Sequence, residues 1–426
     1  MVLERFRYIW YIFLLFLLIF GFQIGNVNTR YIVFILSLLT LSLEKGGFRK
    51  LNLTLKNKYN FSLIVLLLLY YCLSILIPTL HNTLDLSLLF ESSGIMIILA
   101  SVLIYSSVSE NYIHTEKQLL NSLFLIFSIQ SFIIFFCFLS PTFYEIIRHF
   151  QYEQIANVAD SYLNSGIARG LALAGDQFFG LSAAYGLIFI FIGRYAAYYN
   201  NYKIYLLFLL LIVANFFVGR TGFIGIIFAF FILVLAKVEY SKLLRIIQNV
   251  FVCCLIAYIA YFTLVSAETK EAIENNVLPF AFELFYNMNK GNGFSSASSD
   301  HLLQMLSIPI EPITYFIGTG KFTNSDGSYY MHTDSGYMRQ LLFGGLGYVI
   351  VSIILFISVF FNSESVQKKF RTNWNFRVFT GGVIVYFLLL QIKGLTLFFS
   401  RETMVVLFYY LVMMNKIKCP NYLESE

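Results

Sequence analysis

From Ile204 to Ala236 the chain carries a single charge, Arg220, inside "FFVGRTGFIG", and Lys203 and Lys237 close the run on either side. As one helix the run would be about 50 Å long at 1.5 Å per residue. The hydrocarbon core of a bilayer is about 30 Å thick, and ordinary tilt does not absorb the difference. Either the run is two short spans with Arg220 at their shared turn, or a charge is carried through lipid; Gly219 and Gly222 on both sides let backbone or ligand approach Arg220 closely. Composition points the same way. Only 12% of residues are charged and 58% are hydrophobic, against about 25% charged in soluble domains. The apolar runs reach helical spanning length and lack the alternation of barrel strands. The fold class expected is an all-α polytopic membrane protein.

Twelve candidate spans cover residues 8–22, 31–43, 61–80, 88–107, 118–139, 177–198, 204–218, 222–237, 250–266, 336–361, 378–392 and 402–415. Arg5 and Arg7 precede the first, and no small-residue cleavage site follows it, so it reads as an uncleaved helix. The stretches 44–60, 237–249 and 365–377 are rich in Lys and Arg. With twelve spans they share one side with both termini, and basic short loops mark that side as the cytoplasm. Arg220 then lies at an outer turn. Segments 140–176 and 267–335 become large outer loops of one membrane domain, residues 1–426. The second holds a short helix, "SSDHLLQML", that ends before Pro309. The net charge of +6 reflects these orienting lysines and arginines and gives no case for nucleic acid. The five cysteines have no metal-ligand spacing, and no structural disulfide is expected.

Chemistry-bearing residues gather in four places on the expected outer face. "IARGLALAGDQFFG" (167–180) offers Arg169, Asp176, Gln177, Phe178, Phe179 and Gly180. "VGRTG" (218–222) offers Arg220. "YYMHTDSGYMRQLLFGGLG" (329–347) offers His332, Asp334, Tyr337 and Arg339, and a fourth group comprises Lys393 and Arg401 of "SRE" (400–402). A guanidinium presents a fork of donors that matches phosphate oxygens and keeps its charge. A charge at the centre of a span costs roughly 2.5–3.5 kcal/mol and needs a partner or a wet cavity. A lipid-linked diphosphate, held at headgroup depth, is a suitable partner. Against this, an arginine at a helix end ordinarily snorkels or meets a carboxylate, which weighs on Arg148, Arg339 and Arg401. It weighs less on Arg220, flanked by glycines, and on Arg169, whose loop has Asp176 as its nearby acid. His332 and Asp334 at i, i+2 are too loosely spaced for a metal pair, and Gly344, Gly345 and Gly347 suit helix packing.

In these clusters, taken in order, the sequence resembles the Wzy family of O-antigen polymerases, within the superfamily that also holds the O-antigen ligases. Arg169 followed by ten residues and Gly180 fits the family's Arg-x10-Gly pattern. "GRTG" matches its arginine-bearing turn after the middle spans, and "HTDSGYMRQLLFGGLG" its late loop-to-helix segment. The sequence departs from the pattern in one loop. No arginine lies between residues 267 and 338, and Asp300 and His301 stand where many relatives place arginine.

The resemblance implies a GT-C-like glycosyltransferase bundle of about twelve spans in a bacterial inner membrane, with periplasmic loops at 140–176 and 267–335. It implies polymerisation of undecaprenyl-diphosphate-linked oligosaccharide repeat units, among membrane lipids, with no metal or other cofactor. A chain-length regulator is the further partner such polymerases ordinarily use. Arg169 and Arg220 are then expected to stabilise the departing diphosphate. His332 is expected to orient or deprotonate the acceptor hydroxyl, its ordinary pKa being near neutrality, with Asp334 holding His332 or acting as base itself. Arg339, Asp176, Gln177, Gly180, Lys393 and Arg401 complete the expected substrate site, and Tyr337, Phe178 and Phe179 are expected to stack on sugar faces. Two alternatives stand beside this. An O-antigen ligase shares the arginine and histidine logic. A lipid-linked oligosaccharide flippase is expected to show two related halves and charges lining the bundle, and this sequence has no evident repeat.

Overall fold

The computed structural model describes residues 2–164, 167–199, 201, 203–236, 238–264, 267–278, 283–289, 297–362 and 364–417. It is 80% helical. Among the described residues the only sheet is a hairpin pairing β1 (Gln23–Ile24) with β2 (Val27–Asn28). The long helices are α1 (Val2–Phe20), α2 (Thr29–Leu43), α4 (Lys58–Leu80), α5 (Ser87–Ser109), α6 (Glu116–Leu139) and α9 (Phe179–Tyr198). They continue with α10 (Lys203–Val218), α11 (Phe223–Leu235), α12 (Tyr240–Leu264), α17 (Gly336–Phe361), α19 (Trp374–Lys393) and α20 (Arg401–Lys416). Shorter helices lie between them: α3 (Gly47–Lys56), α7 (Pro141–Arg148), α8 (Glu153–Asn164), α13 (Ala267–Ala272), α14 (Glu283–Asn289), α15 (Ala297–Leu306), α16 (Pro312–Ile317) and α18 (Glu364–Thr372).

Among the described residues seven helices are long and apolar enough to cross a membrane: α4, α5, α6, α9, α12, α17 and α19. The apolar helices α2, α10 and α11 are shorter. The long run opened by Lys203 does break at its arginine. A 3-10 turn, Arg220–Gly222, separates α10 from α11.

Helices α9 and α20 form the centre, buried along nearly their whole lengths. The neighbours carry exposed apolar faces, such as Phe61, Ile350 and Ile354, as helices facing lipid do. Where lipid is as apolar as leucine, helices associate by close packing of small residues. Here a Cβ on Gly225 of α11 would strike the backbone of Gly186 in α9, and one on Gly193 would strike Ala229. Those positions let α9 and α11 lie backbone to backbone.

One helix is broken. Inside α17, Gly344 (φ −134°) and Gly345 (φ 71°) leave helical geometry. The segment after α16 crosses the break and takes up freed carbonyls: Thr319 N–H donates to Leu342 O at 2.6 Å and Gly320 N–H to Phe343 O at 2.9 Å. Asp85, between α4 and α5, holds the same segment by accepting the amides of Phe322 and Thr323 at 2.6 and 2.9 Å.

Candidate functional site

Three cations meet where the stretch before α9, the turn between α10 and α11 and the end of α19 come together. Arg169 lies in the irregular stretch before α9. Its guanidinium donates to the Val218 carbonyl at 3.1 Å and lies 5.0 and 5.2 Å from the rings of Tyr162 and Phe178. Arg220 opens the turn between α10 and α11. Lys393 closes α19, and its Nζ donates to Thr221 Oγ1 at 3.2 Å. The three lie within electrostatic reach of one another. Burial lowers the pKa of Arg169, and the Arg220 charge adds to that against the pull of Tyr162.

The turn under this cluster is held from α9. The Ser182 hydroxyl donates to Gly219 O at 2.8 Å and accepts the Gly222 N–H at 2.7 Å. Gly222 must lack a side chain because a Cβ there would meet the Asn215 side chain and the Ser182 carbonyl. The stretch carrying Arg169 is fixed as firmly. Gln151 donates to the carbonyls of Gly170 and Ala172, each at 3.0 Å, and Gly175 N–H reaches Phe20 O at 2.7 Å.

A second polar group lies beside it. Arg30, at the start of α2, caps the end of α1 through the carbonyls of Leu18 and Ile19 at 3.1 and 2.8 Å. The same guanidinium pairs with Glu402 at 2.9 Å, and Glu402 also accepts the Asp176 amide at 3.2 Å. Asp176 carries its carboxylate against the backbone N–H groups of Phe178 and Gly180, at the N-terminus of α9. Burial raises its pKa, while Arg401, those amides and Arg30 oppose the rise. Gly180 is the residue that permits this approach.

Several of the expected site residues have partners within the fold. Arg220 pairs with Glu283 of α14, and Arg401 with Glu91 of α5 at 3.1 Å. Arg148 pairs with Asp160 at 2.5 Å. Arg339 lies between the rings of Phe322 and Tyr329, 4.0 and 3.7 Å from their centroids. The Tyr337 hydroxyl is committed to Leu388 O at 2.9 Å, and Phe178 and Phe179 pack on Arg169 and Gly394. All three rings are half-buried. Gln177 is fully buried. His332 and Asp334 are both exposed, and no hydrogen bond between them occurs among the described residues. The backbone at Met331 and His332 lies in the left-handed region (φ 54° and 53°). Among the described residues no group of three or more His, Cys, Asp or Glu is placed to hold a metal ion.

The sequence reading missed Arg30, Gln151, Ser182, Glu283 and the central place of Glu402. A signal existed for one of them. Arg30 is a lone charge between two apolar runs, Tyr8–Gly25 and Tyr31–Leu43, and such a charge needs a buried partner. Scans of known family models, curated proteins and solved structures return no match to this chain.

Proposed function

We propose that this chain polymerises undecaprenyl-diphosphate-linked oligosaccharide repeat units at the periplasmic face of a bacterial inner membrane. In this reading the bundle is a GT-C-like glycosyltransferase with about twelve spans and cytoplasmic termini. The supporting observation is the convergence of Arg169, Arg220 and Lys393 from three separate parts of the chain at one end of an apolar bundle. Like charges gathered at one place repel one another, and an anionic ligand relieves that repulsion. The diphosphate of a lipid carrier combines the required charge with an apolar tail suited to the membrane.

The acceptor hydroxyl attacks the anomeric carbon of the donor glycan, the bond to the lipid diphosphate breaks, and the cations stabilise the departing diphosphate. Such preorganised charge is worth about 10²–10³ in rate per donor. Glu283 holds Arg220 until phosphate oxygens replace it. His332 and Asp334, exposed on the loop that leads into α17, are the titratable groups available to the acceptor.

The test is surface polysaccharide from cells expressing the chain, separated by length, with variants matched for membrane level. Arg169→Ala, Arg220→Ala and Lys393→Met are expected to leave single repeat units in place of long polymer. Long polymer from all three variants overturns the reading. Loss of every repeat, with none left on the carrier's usual acceptor, points to a ligase.

A further inference from the structure

Glu402 opens α20 beside Arg30 and Asp176. Lys416 closes the same helix, about 21 Å further along at 1.5 Å per residue. There the fold leaves a cavity of about 550 Å³ between α3, the turn after α5 and the end of α20. That volume falls within the range of about 300–1,000 Å³ typical of small-ligand sites.

One wall of the cavity is polar. Lys416 Nζ pairs with Glu110 at 2.5 Å and donates to Thr54 Oγ1 at 2.7 Å. Asn415 donates to Asn57 Oδ1 at 2.9 Å, and the exposed ring of His114 lies on the same lining. The Lys416 side chain is 10% exposed and that of Glu110 32%. Leu53, Ile113 and Ile417 supply an apolar portion. Among the described lining residues the formal charges of Asp, Glu, Lys and Arg are one acid and one base. The neighbouring Lys50 also has an acid, Glu44, at 3.3 Å. The site therefore offers both signs in equal measure. A purely anionic ligand meets the Glu110 carboxylate as well as Lys416, and a purely cationic one meets Lys416. A zwitterion answers both.

The setting indicates an amphiphile. Helix α3 exposes Phe48, Leu53 and Leu55 beside the basic residues Arg49, Lys50 and Lys56. A helix of that kind lies in the membrane interface, with its apolar residues at the boundary between headgroups and acyl chains. Leu53 belongs both to this exposed set and to the cavity wall, so the cavity adjoins the headgroup layer. We propose that it binds the headgroup of a zwitterionic glycerophospholipid bearing a primary amine, phosphatidylethanolamine. Its phosphate takes Lys416 and His114, its ammonium donates to Glu110, and its glycerol end rests on Leu53, Ile113 and Ile417. A primary ammonium carries three N–H donors, whereas the quaternary nitrogen of choline carries none. Glu110 is thus the residue that distinguishes the two headgroups. The inference does not depend on the glycosyl-transfer reading.

The test titrates the purified full chain in dodecyl maltoside with dioleoyl phosphatidylethanolamine, phosphatidylcholine or phosphatidylglycerol, and counts bound lipid by native mass spectrometry. Lipid held in the cavity is the part of the binding that Leu53→Trp removes. Leu53 is exposed, so that variant is expected to keep the parent's melting temperature. The ethanolamine lipid is expected to bind there about tenfold more tightly than either of the others, the scale of one hydrogen bond to a charged group. Glu110→Gln is expected to erase the preference over choline. Equal affinities of the three lipids for the parent, or tighter binding of phosphatidylglycerol, overturn the proposal. Undiminished binding to Leu53→Trp overturns it too. Glycerophosphoethanolamine, which lacks acyl chains, is expected to bind at least ~10-fold more weakly for want of apolar contact. Binding as tight as that of the lipid would make the ligand a soluble zwitterion and overturn the lipid assignment.

Discussion

Ser182 holds Gly222 by accepting its amide at 2.7 Å, and the same hydroxyl donates to Gly219 at 2.8 Å. One side chain in α9 thus closes both ends of the turn that carries Arg220. Ser182→Ala leaves a buried amide and a buried carbonyl without that partner, each worth about 1–3 kcal/mol when unsatisfied. The variant is expected to lose up to about 2–6 kcal/mol of stability for the two groups together and to unfold at lower temperature in detergent. Ser182→Thr, which keeps the hydroxyl, recovers part of the loss.

The Arg30–Glu402 pair makes a sharper prediction. Its side chains are 4% and 0% exposed, so removing one partner strands a buried charge, at about 3–5 kcal/mol. Arg30→Met and Glu402→Leu should each be destabilised by that order in thermal unfolding. The double variant is expected to be more stable than either single one, because it buries no unpaired charge. A double variant as unstable as the sum of the two singles removes the pairing argument.

Much of this fold was legible in the sequence, because lipid imposes a simple rule on apolar runs. Each of the twelve expected spans meets a helix, and the break at Arg220 falls where length alone requires it. The pairings were less legible. Nothing local to Arg220 announces Glu283, 63 residues away, and nothing near Arg30 announces Glu402, 372 residues away. Gly344 and Gly345, read as packing residues, break α17, because a segment from the preceding loop supplies donors to the freed carbonyls. That exchange between distant segments is a tertiary event that helical periodicity does not record.

Asp85 and Asp176 should respond to pH in opposite directions. Burial pushes the Asp85 carboxyl up, but Ser87 and the amides of Phe322 and Thr323 outweigh it and lower its pKa. Its stabilisation is therefore present above the unfolded value of about 3.9 and is lost as pH falls through the folded value. For Asp176 burial wins and the pKa is raised. Its favourable contribution is complete below about 3.9 and is lost as pH rises through the folded value. Melting temperatures of Asp85→Asn and Asp176→Asn, compared with the parent at each pH, check this. The deficit of Asp85→Asn is expected to hold down to pH ~4 and to shrink as pH falls further. Asp176→Asn is expected to gain on the parent as pH rises toward neutrality.

The break in α17 distinguishes two neighbouring glycines. A Cβ on Gly345 would collide with the Phe316 carbonyl, and its φ of 71° disfavours any side chain. Such strain costs about 1–3 kcal/mol before the collision is counted. Gly347 has nothing within 4 Å of the corresponding point. Gly345→Ala is expected to lower the yield of folded protein and its melting temperature, and Gly347→Ala to leave both unchanged. Equal behaviour of the two variants contradicts the broken-helix geometry.

Charge alone does not account for Arg169, and its replacement by lysine separates charge from shape. The guanidinium donates to Val218 while covering Tyr162 and Phe178, so one planar group fixes the loop. Lysine keeps the charge as a flexible point and cannot reproduce the fork. Arg148 is the control at the same end of the bundle. Its pair with Asp160 is about one-third exposed on both sides, a setting in which ion pairs contribute about 0–1 kcal/mol. In the polymer assay Arg169→Lys is expected to lower the rate of chain growth at least ~10-fold, less than the ~10²–10³ for removing a donor outright, because lysine keeps the charge. Arg148→Ala is expected to make polymer of full length. A fully active Arg169→Lys would mean that the cluster needs only net positive charge, and the forked contact to a phosphate would have to be abandoned.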